Sequence, residues 1–337
     1  MDSPRPTVPG ELISADSESS VPVNPTVSIV IVSYNTKQMT LECLRSVFEQ
    51  TRRTLFEVIV IDNESADGSA DAIESEFVGR LRLIRSGSNL GFAKANNVAA
   101  EYATGEFLLL LNPDTVVLDG AIDKIVDFAR QHRDAGIWGG RTVYPDGTLN
   151  PASCWGRQTL WSVFCAASGL SSIFRRSTLF NPEGIGGWKR DSVREVDIVS
   201  GCFLLIKREF WNRLGGFDPA FFMYGEEADL CLRSRSYGAR PMITPKAVIV
   251  HYGGASDRVR ADKIVKLLHA KIQLIRKHWT YPSSKYGVLM LSLYPMTRSY
   301  VWCAVSFLTK QDCADNWLEV WRRRSEWVRV EQSTERV

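Results

Sequence analysis

From Val27 to Ala129 this 337-residue chain alternates strand and helix four times, and that alternation leaves little choice of fold. Val27–Val32 reads Val-Ser-Ile-Val-Ile-Val, a β-branched and nearly continuous run of the kind found in a strand buried on both faces. A helix follows with Leu41, Leu44 and Phe48 on one stripe. Phe56–Ile61 is the second strand, and Asp67 is expected to cap a helix carrying Ala70, Ile73 and Phe77. Leu81–Ile84 makes a third strand, Phe92–Tyr102 a helix and Glu106–Leu111 a fourth strand. Asp119 opens a further helix, with Ile122, Ile125, Val126 and Ala129 facing inward. Such a pattern predicts an α/β fold: a doubly wound, mostly parallel sheet with helices on both faces. Ligands of such sheets bind beyond the carboxyl ends of the strands.

Those ends carry the polar residues. Leu108–Thr115 reads Leu-Leu-Leu-Leu-Asn-Pro-Asp-Thr. Pro113 has no N–H for a ladder and stops the strand, which leaves Asp114 just past its carboxyl end. A carboxylate there can hold a divalent cation against a diphosphate. On its own the stretch reads equally well as a strand ending in a Pro-Asp turn. The first strand ends in Ser33-Tyr34-Asn35 and the second in Asp62-Asn63, where an acid is a usual partner for a ribose hydroxyl or a base N–H. In Asn89-Leu90-Gly91-Phe92, Gly91 permits close backbone approach and Asn89 offers both a donor and an acceptor. Together these ends predict one nucleotide crevice. No Gly-x-Gly-x-x-Gly follows the first strand and no Walker loop is present, which argues against dinucleotide-binding enzymes and P-loop NTPases.

The remainder is less periodic. Residues 145–192 hold many Gly, Pro, Ser and Trp residues and predict loops and short elements around an acceptor site. Val196–Lys207 predicts a strand pair, a helix starts near Gly225, and Ala247–Val250 is a strand followed by His251. Asp262–Trp279 is a basic amphipathic helix. Tyr286–Leu308 is apolar and aromatic, interrupted by Pro295 and Arg298; it is expected to lie in a membrane interface, with a core helix or a spanning one as alternatives. Trp317, Trp321 and Trp327, with Arg322-Arg323-Arg324, suit anionic lipid. Residues 1–26 are rich in Pro, Ser and acids and read as a disordered leader. A formal charge of +3 is too small to argue for nucleic acid. The seven scattered cysteines, with no Cys-x-x-Cys, suggest reduced thiols in a cytosolic setting. No basic-then-apolar segment opens the chain, so secretion is not expected.

The ordered series from Ser28 to Asn35, Val60 to Ser69, Asn89 to Phe92 and Leu111 to Asp114 resembles glycosyltransferase family 2, and within it the bacterial rhamnosyltransferases. The resemblance covers about residues 27–255. It implies an inverting enzyme of the GT-A fold that uses a nucleotide-diphosphate sugar. The expected division is a leader at 1–26, a catalytic domain at 27–258 with a donor half (27–140) and an acceptor half (141–258), and a helical tail at 259–337. Donor contacts are implied from Ser33, Tyr34, Asn35 and Asp62, with Asn63, Asn89, Gly91 and Asn112 completing the predicted donor site. Asp114 stands where the family has the last acid of its Asp-x-Asp motif. Asn112 replaces the first acid, so a divalent cation, Mg or Mn, would have one carboxylate where two are common. The histidine matching His251 is a metal or diphosphate ligand in relatives, whereas His132, His269 and His278 read as structural.

Gly215–Asp218, Phe222–Gly225 and Glu226–Arg233 resemble the family's catalytic stretch. Glu227 occupies the place of its general base but is one methylene longer than the usual aspartate, and Glu226 stays open as the alternative. Both lie in the first turn of a helix, where the macrodipole favours the ionised carboxylate a base requires. Arg233 is expected to pair with Glu226 or Asp229. The implied reaction is one inverting displacement from dTDP-rhamnose to a glycan or polyprenyl-diphosphate-linked acceptor. It would take place in the cytoplasm at the inner face of an anionic membrane. A UDP-hexose donor, a sugar-1-phosphate nucleotidyltransferase and a non-enzymatic nucleotide-sugar sensor are the alternatives. The nucleotidyltransferase would need a Gly-rich loop with Arg and Lys after the first strand, where Ser33–Gln38 offers only Lys37.

Overall fold

The computed structural model describes residues 24–253, 260–309 and 316–328. Most of the expected leader, the Gly254-Ala255-Ser256 stretch after His251 and the last nine residues of the tail lie outside these. In chain order come β1 (Val27–Ser33), α1 (Lys37–Gln50), β2 (Phe56–Asp62), α2 (Ser69–Glu76), β3 (Arg82–Arg85), α3 (Gly91–Ala100), β4 (Phe107–Leu111), β5 (Thr115–Val117) and α4 (Ala121–Gln131). The second half holds β6 (Ile137–Val143), β7 (Cys154–Trp155), α5 (Leu160–Ala167), α6 (Leu170–Ile173), β8 (Arg194–Glu195), β9 (Ile198–Val199), β10 (Phe203–Lys207), α7 (Arg208–Leu214), α8 (Glu226–Ser236) and β11 (Met242–His251). Four further helices follow, α9 (Arg260–His278), α10 (Ser283–Thr309), α11 (Asn316–Arg322) and α12 (Arg324–Val328).

The main sheet runs β3-β2-β1-β4-β10-β6-β11-β5, with β8 paired to the early part of β11. β1 to β4 are mutually parallel, and β6 and β11 point the same way, while β10, β5 and β8 run against them. The continuous apolar runs are explained by layers on both faces. Ile29, Ile31, Val58, Val60, Leu109 and Leu111 enter the cluster under α1, α2 and α4. Their neighbours Val30, Val32, Ile59, Ile61, Leu108 and Leu110 enter the opposite cluster with α3, α7 and α8.

Several expectations shift. Val196–Lys207 is not a strand pair: β9 joins β7 in a small separate sheet, whereas β10 inserts antiparallel between β4 and β6. β6 was not expected at all, because Gly139 and Gly140 break its apolar run. A side chain at Gly139 would strike Val199, and one at Gly140 would strike Phe203 and Ala247, so close packing demands glycine there. Two caps move by a residue or two. Gly68 and Gly120, both left-handed, precede α2 and α4, while Asp67 accepts the Ser69 N–H from outside the helix at 3.0 Å. The five cysteines with described side chains are free and buried.

The described part of the tail is helical, as expected. α10 continues through Pro295 as one helix, and the Arg298 guanidinium donates to Ser172 Oγ at 2.6 Å. Ala261, Val265, Leu268, Ile272, Ile275, Leu291, Val320 and Trp327 form a third core with Val163 of α5. Trp327 is fully buried and Arg323 is paired to Asp262 and Glu326, so neither belongs to an exposed lipid-seeking surface. Among the described residues no helix is long and apolar enough to cross a membrane.

Candidate active site

Because β1, β2, β4, β6 and β11 share a direction, Tyr34, Asn63, Asn112, Asp114 and His251 all emerge at one edge of the sheet. β10 runs the other way, so the residues entering it, Ser200-Gly201-Cys202, reach the same edge. They line a crevice of about 630 Å³, together with Asn89, Glu226 and Glu227.

Its floor is the junction of the loops after β4 and β11. Asp114 is buried; its Oδ1 lies 3.4 Å from His251 Nε2, and its Oδ2 accepts the Gly253 N–H at 3.1 Å. The Tyr252 N–H donates to the Asp114 carbonyl at 3.1 Å, which closes the clasp. Burial pushes the Asp114 carboxyl up, but His251 and the Gly253 N–H outweigh it and hold it below the usual aspartate value. Burial likewise opposes a charge on His251, yet the Cys202 sulfur and Asp114 push its imidazole up to about 10. Asn112 Oδ1 and His251 Nδ1 are buried without a hydrogen-bond partner. These orphaned atoms beside Asp114 fit a site for a cation and its diphosphate. Among the described residues no three His, Cys, Asp or Glu side chains group closely enough to hold a metal alone.

The donor wall is more divided than its motifs suggest. Ser33 faces away, sharing a hydrogen bond of 3.1 Å with Thr40 Oγ1. Asn35 is exposed at φ +52° and ties two loops together: its N–H donates to Ser65 Oγ and its Oδ1 accepts the Ala66 N–H. Asp62 accepts the Ser65 N–H at 3.0 Å through Oδ2, while its buried Oδ1 has no partner. Asn63 donates to Asn89 Oδ1 at 3.1 Å and accepts the Leu90 N–H at 2.9 Å, which fixes both amides. Gly91 opens α3 at φ +75°, and a Cβ there would sit 2.5 Å from the Phe222 carbonyl oxygen. That carbonyl accepts the Phe92 N–H at 2.8 Å and locks the donor wall to the loop before α8.

The opposite wall begins at Gly225, whose φ of +89° turns the chain into α8. Glu226 is almost wholly buried, whereas Glu227 is partly exposed to the crevice. Burial pushes both carboxyls up. For Glu226 the charge of Glu227 adds to the rise; for Glu227 the N–H groups of the first turn pull the other way without overcoming burial. The helix-terminal advantage expected from the sequence is therefore outweighed. One turn on, Asp229 is fully buried and accepts from Arg233 Nε at 2.7 Å, Lys277 Nζ at 2.7 Å and His278 Nε2 at 2.8 Å. Arg233 thus pairs with Asp229.

Some residues of the crevice had no signal in the sequence. Trp155, Gln158 and Glu183 come from the weakly periodic stretch 145–192, and Ile198 from β9. Gln158 is the most suggestive of these, since both polar atoms of its amide are buried without a partner. From α9 come Lys263, Leu267, Lys271 and Leu274. Their spacing of four, four and three residues marks one helical stripe and was legible in principle.

A mixed sheet carrying an asparagine- and aspartate-lined crevice at its strand ends, faced by one buried and one partly exposed glutamate, has the GT-A architecture of glycosyltransferases. Glycosyl transferase family 2 matches residues 28–211, and the chain belongs to that family. It is 29% identical over 243 residues to the O-antigen biosynthesis protein RfbC of Myxococcus xanthus, a match covering 70% of this chain but only 18% of RfbC. It is 27% identical over 242 residues to the N-acetylglucosaminyl-diphospho-decaprenol L-rhamnosyltransferase of Mycobacterium tuberculosis, covering 66% of this chain and 75% of that one. The mannosyltransferase PcManGT of Pyrobaculum calidifontis, solved with GDP-Man and Mn2+, superposes with a TM-score of 0.54 at 18% identity, covering 91% of this chain and 86% of that one.

Proposed function

We propose that this protein is an inverting sugar transferase. It would take rhamnose from dTDP-rhamnose and place it on a hydroxyl of a polyprenyl-diphosphate-linked glycan, at the cytoplasmic face of an anionic membrane during cell-surface polysaccharide synthesis. The observation that carries the reading is that Asp114, His251 and Glu227 open onto one crevice. Tyr34, Asn63 and Asn89 would hold the nucleotide along the donor wall. Glu227 accepts the proton of the acceptor hydroxyl. The freed oxygen pair attacks the anomeric carbon from the face opposite the diphosphate, and the bond to the diphosphate oxygen breaks with its electron pair leaving on that oxygen. Burial makes Glu227 a stronger base than a solvated glutamate, a better match for work near neutral pH.

Asp114 would hold a divalent cation against the diphosphate, and His251 would assist in one of two forms. As an imidazolium it would donate its unpartnered Nδ1–H to a diphosphate oxygen. As a neutral imidazole it would join the cation's ligands, where it suits Mn better than Mg. Bound there, the cation supplies positive charge at the departing diphosphate. The similarity to the mycobacterial L-rhamnosyltransferase supports rhamnose as the sugar and a polyprenyl-diphosphate-linked acceptor.

The deciding assay is transfer from dTDP-rhamnose to a short polyprenyl-diphosphate acceptor, with the anomeric configuration of the product read by NMR. An inverted linkage is expected; a retained one, or hydrolysis alone with every acceptor, would sink the reading. Donor binding gives an independent check. At about 100 times its Kd, dTDP-rhamnose with Mn2+ should stabilise the fold by about 2.7 kcal/mol in a thermal melt. Most of that gain should disappear with EDTA or in Asp114→Asn, and an unchanged shift in both would remove the cation from the proposal.

A further inference from the structure

We infer that the face by which this protein meets an anionic phospholipid bilayer is centred on the segment 160–180, while α10 behind it also leaves Tyr286, Leu289 and Tyr300 exposed. Leu160, Trp161, Phe164 and Phe174 of this segment are each at least 40% exposed, and Ile173 and Leu179 reach 72% and 60%. Such a concentration of large apolar groups is unusual on a water-facing surface. It is not a floppy loop. Trp161 stacks on Phe164 at 5.6 Å, Phe174 lies 5.0 Å from Phe180, and Trp161 Nε1 donates to the Leu179 carbonyl at 2.6 Å. From behind, Thr297 Oγ1 of α10 donates to the Ala167 carbonyl at 3.0 Å and Arg298 holds Ser172. The apolar side chains are therefore displayed on a braced platform, and the entropy of ordering them is already met.

Charge identifies the occupant. Arg175 and Arg176 stand exposed between Phe174 and Leu179, and neither is in an ion pair among the described residues. Arg175 is steadied by donating to the Ser172 carbonyl at 3.1 Å. Aromatic and aliphatic side chains flanked by arginines with no acidic partner among the described residues match a bilayer interface bearing phosphate groups. A second copy of the chain fits worse, since a two-fold contact through this patch would set the arginines of both copies against each other.

Position explains the use. Gln158 lies just before the segment and Glu183 just after it, and both line the crevice. A lipid-linked acceptor would thus pass from the bilayer straight into the site. This last point rests on the proposed acceptor; the docking surface itself does not.

The test is co-sedimentation of the full chain with phosphatidylcholine vesicles, with and without phosphatidylglycerol. Wild type should bind the anionic vesicles and release as salt rises. Arg175→Glu with Arg176→Glu, and separately Ile173→Ser with Leu179→Ser, should each weaken that binding by about tenfold or more. Arg322→Glu with Arg324→Glu, on the tail, should change it little. Undiminished binding by both segment variants, loss only with the tail variant, or no vesicle binding by wild type overturns the inference. So does a wild-type dimer that Ile173→Ser with Leu179→Ser converts to monomer. Donor hydrolysis in detergent should match wild type in all variants, since none touches the crevice. If vesicle binding follows the expected pattern while no transfer is found with any acceptor, the docking surface stands and the proposed reaction falls.

Discussion

Glu227→Gln should leave donor binding intact and lower the transfer rate by about 10²–10⁴-fold, the range expected when a positioned general base is removed. Glutamine keeps the shape and the hydrogen-bonding carbonyl but cannot accept the proton. The pH profile makes the assignment specific. Burial raises the Glu227 carboxyl, so the acid limb of the wild-type rate should lie above the ordinary glutamate range, and the variant's residual rate should lack that limb. Glu226→Gln is the control. Glu226 is the more buried of the two, and burial together with the charge of Glu227 favours its protonated form. Its folded value lies above the unfolded one, so its contribution to stability is complete below the unfolded pKa and is lost as pH rises through the folded one. Glutamine there should keep most of the rate and raise the melting temperature at neutral pH. A fully active Glu227→Gln, or an inactive Glu226→Gln, would reverse the two roles.

Asp229→Ala should be the most damaging substitution for stability, at about 3 kcal/mol, the low end for removing one partner of a buried ionic group. The low end applies because Arg233, Lys277 and His278 keep some contact with water. Burial pushes the Asp229 carboxyl up, but His278, Lys277 and Arg233 overcome it and hold the group at about 2, below its ordinary 3.8. The sign follows: this stabilisation is present above the unfolded value and is lost as pH falls through 3.8 toward 2. Urea unfolding followed by circular dichroism should show a large gap between wild type and Asp229→Ala at pH 7, shrinking below pH 3.8. Equal midpoints at pH 7 would show that the cluster is rehydrated and inert. A loss of activity should accompany the loss of stability, since Asp229 ties α9, one wall of the crevice, to the helix carrying Glu227.

How legible a region was depended on whether its partners were local. β1, β2 and β4 announced themselves because burial on both faces writes an unbroken apolar run. The strand-end residues could be placed from those runs alone. β6 hid behind Gly139-Gly140, whose reason is contact with Val199, Phe203 and Ala247, far away in sequence. β5 is only three residues long and has no pattern of its own; it exists because β11 lies beside it. The upward shift of the Glu226 and Glu227 carboxyls was not legible for the same reason. Helix position is visible in sequence, but the burial that dominates is supplied by the whole fold. Ser33 shows the limit of motif reading: adjacent to Tyr34, it turns its hydroxyl to Thr40 and not to the crevice. Trp327 shows a related limit, since aromatic content alone does not distinguish a lipid-facing ring from one filling a core.

The placement of β10 also bears on how the protein is made. β4, at the centre of the sheet, receives its second neighbour only from Phe203–Lys207. During synthesis β1 to β4 can pair as they emerge, but one side of β4 keeps a bare row of N–H and C=O groups until far more chain has left the ribosome. An unpaired edge on a run of leucines is an invitation to foreign strands. The nascent protein therefore passes through a long window in which chaperone cover matters, and slowing translation ahead of Phe203 should lower its soluble yield.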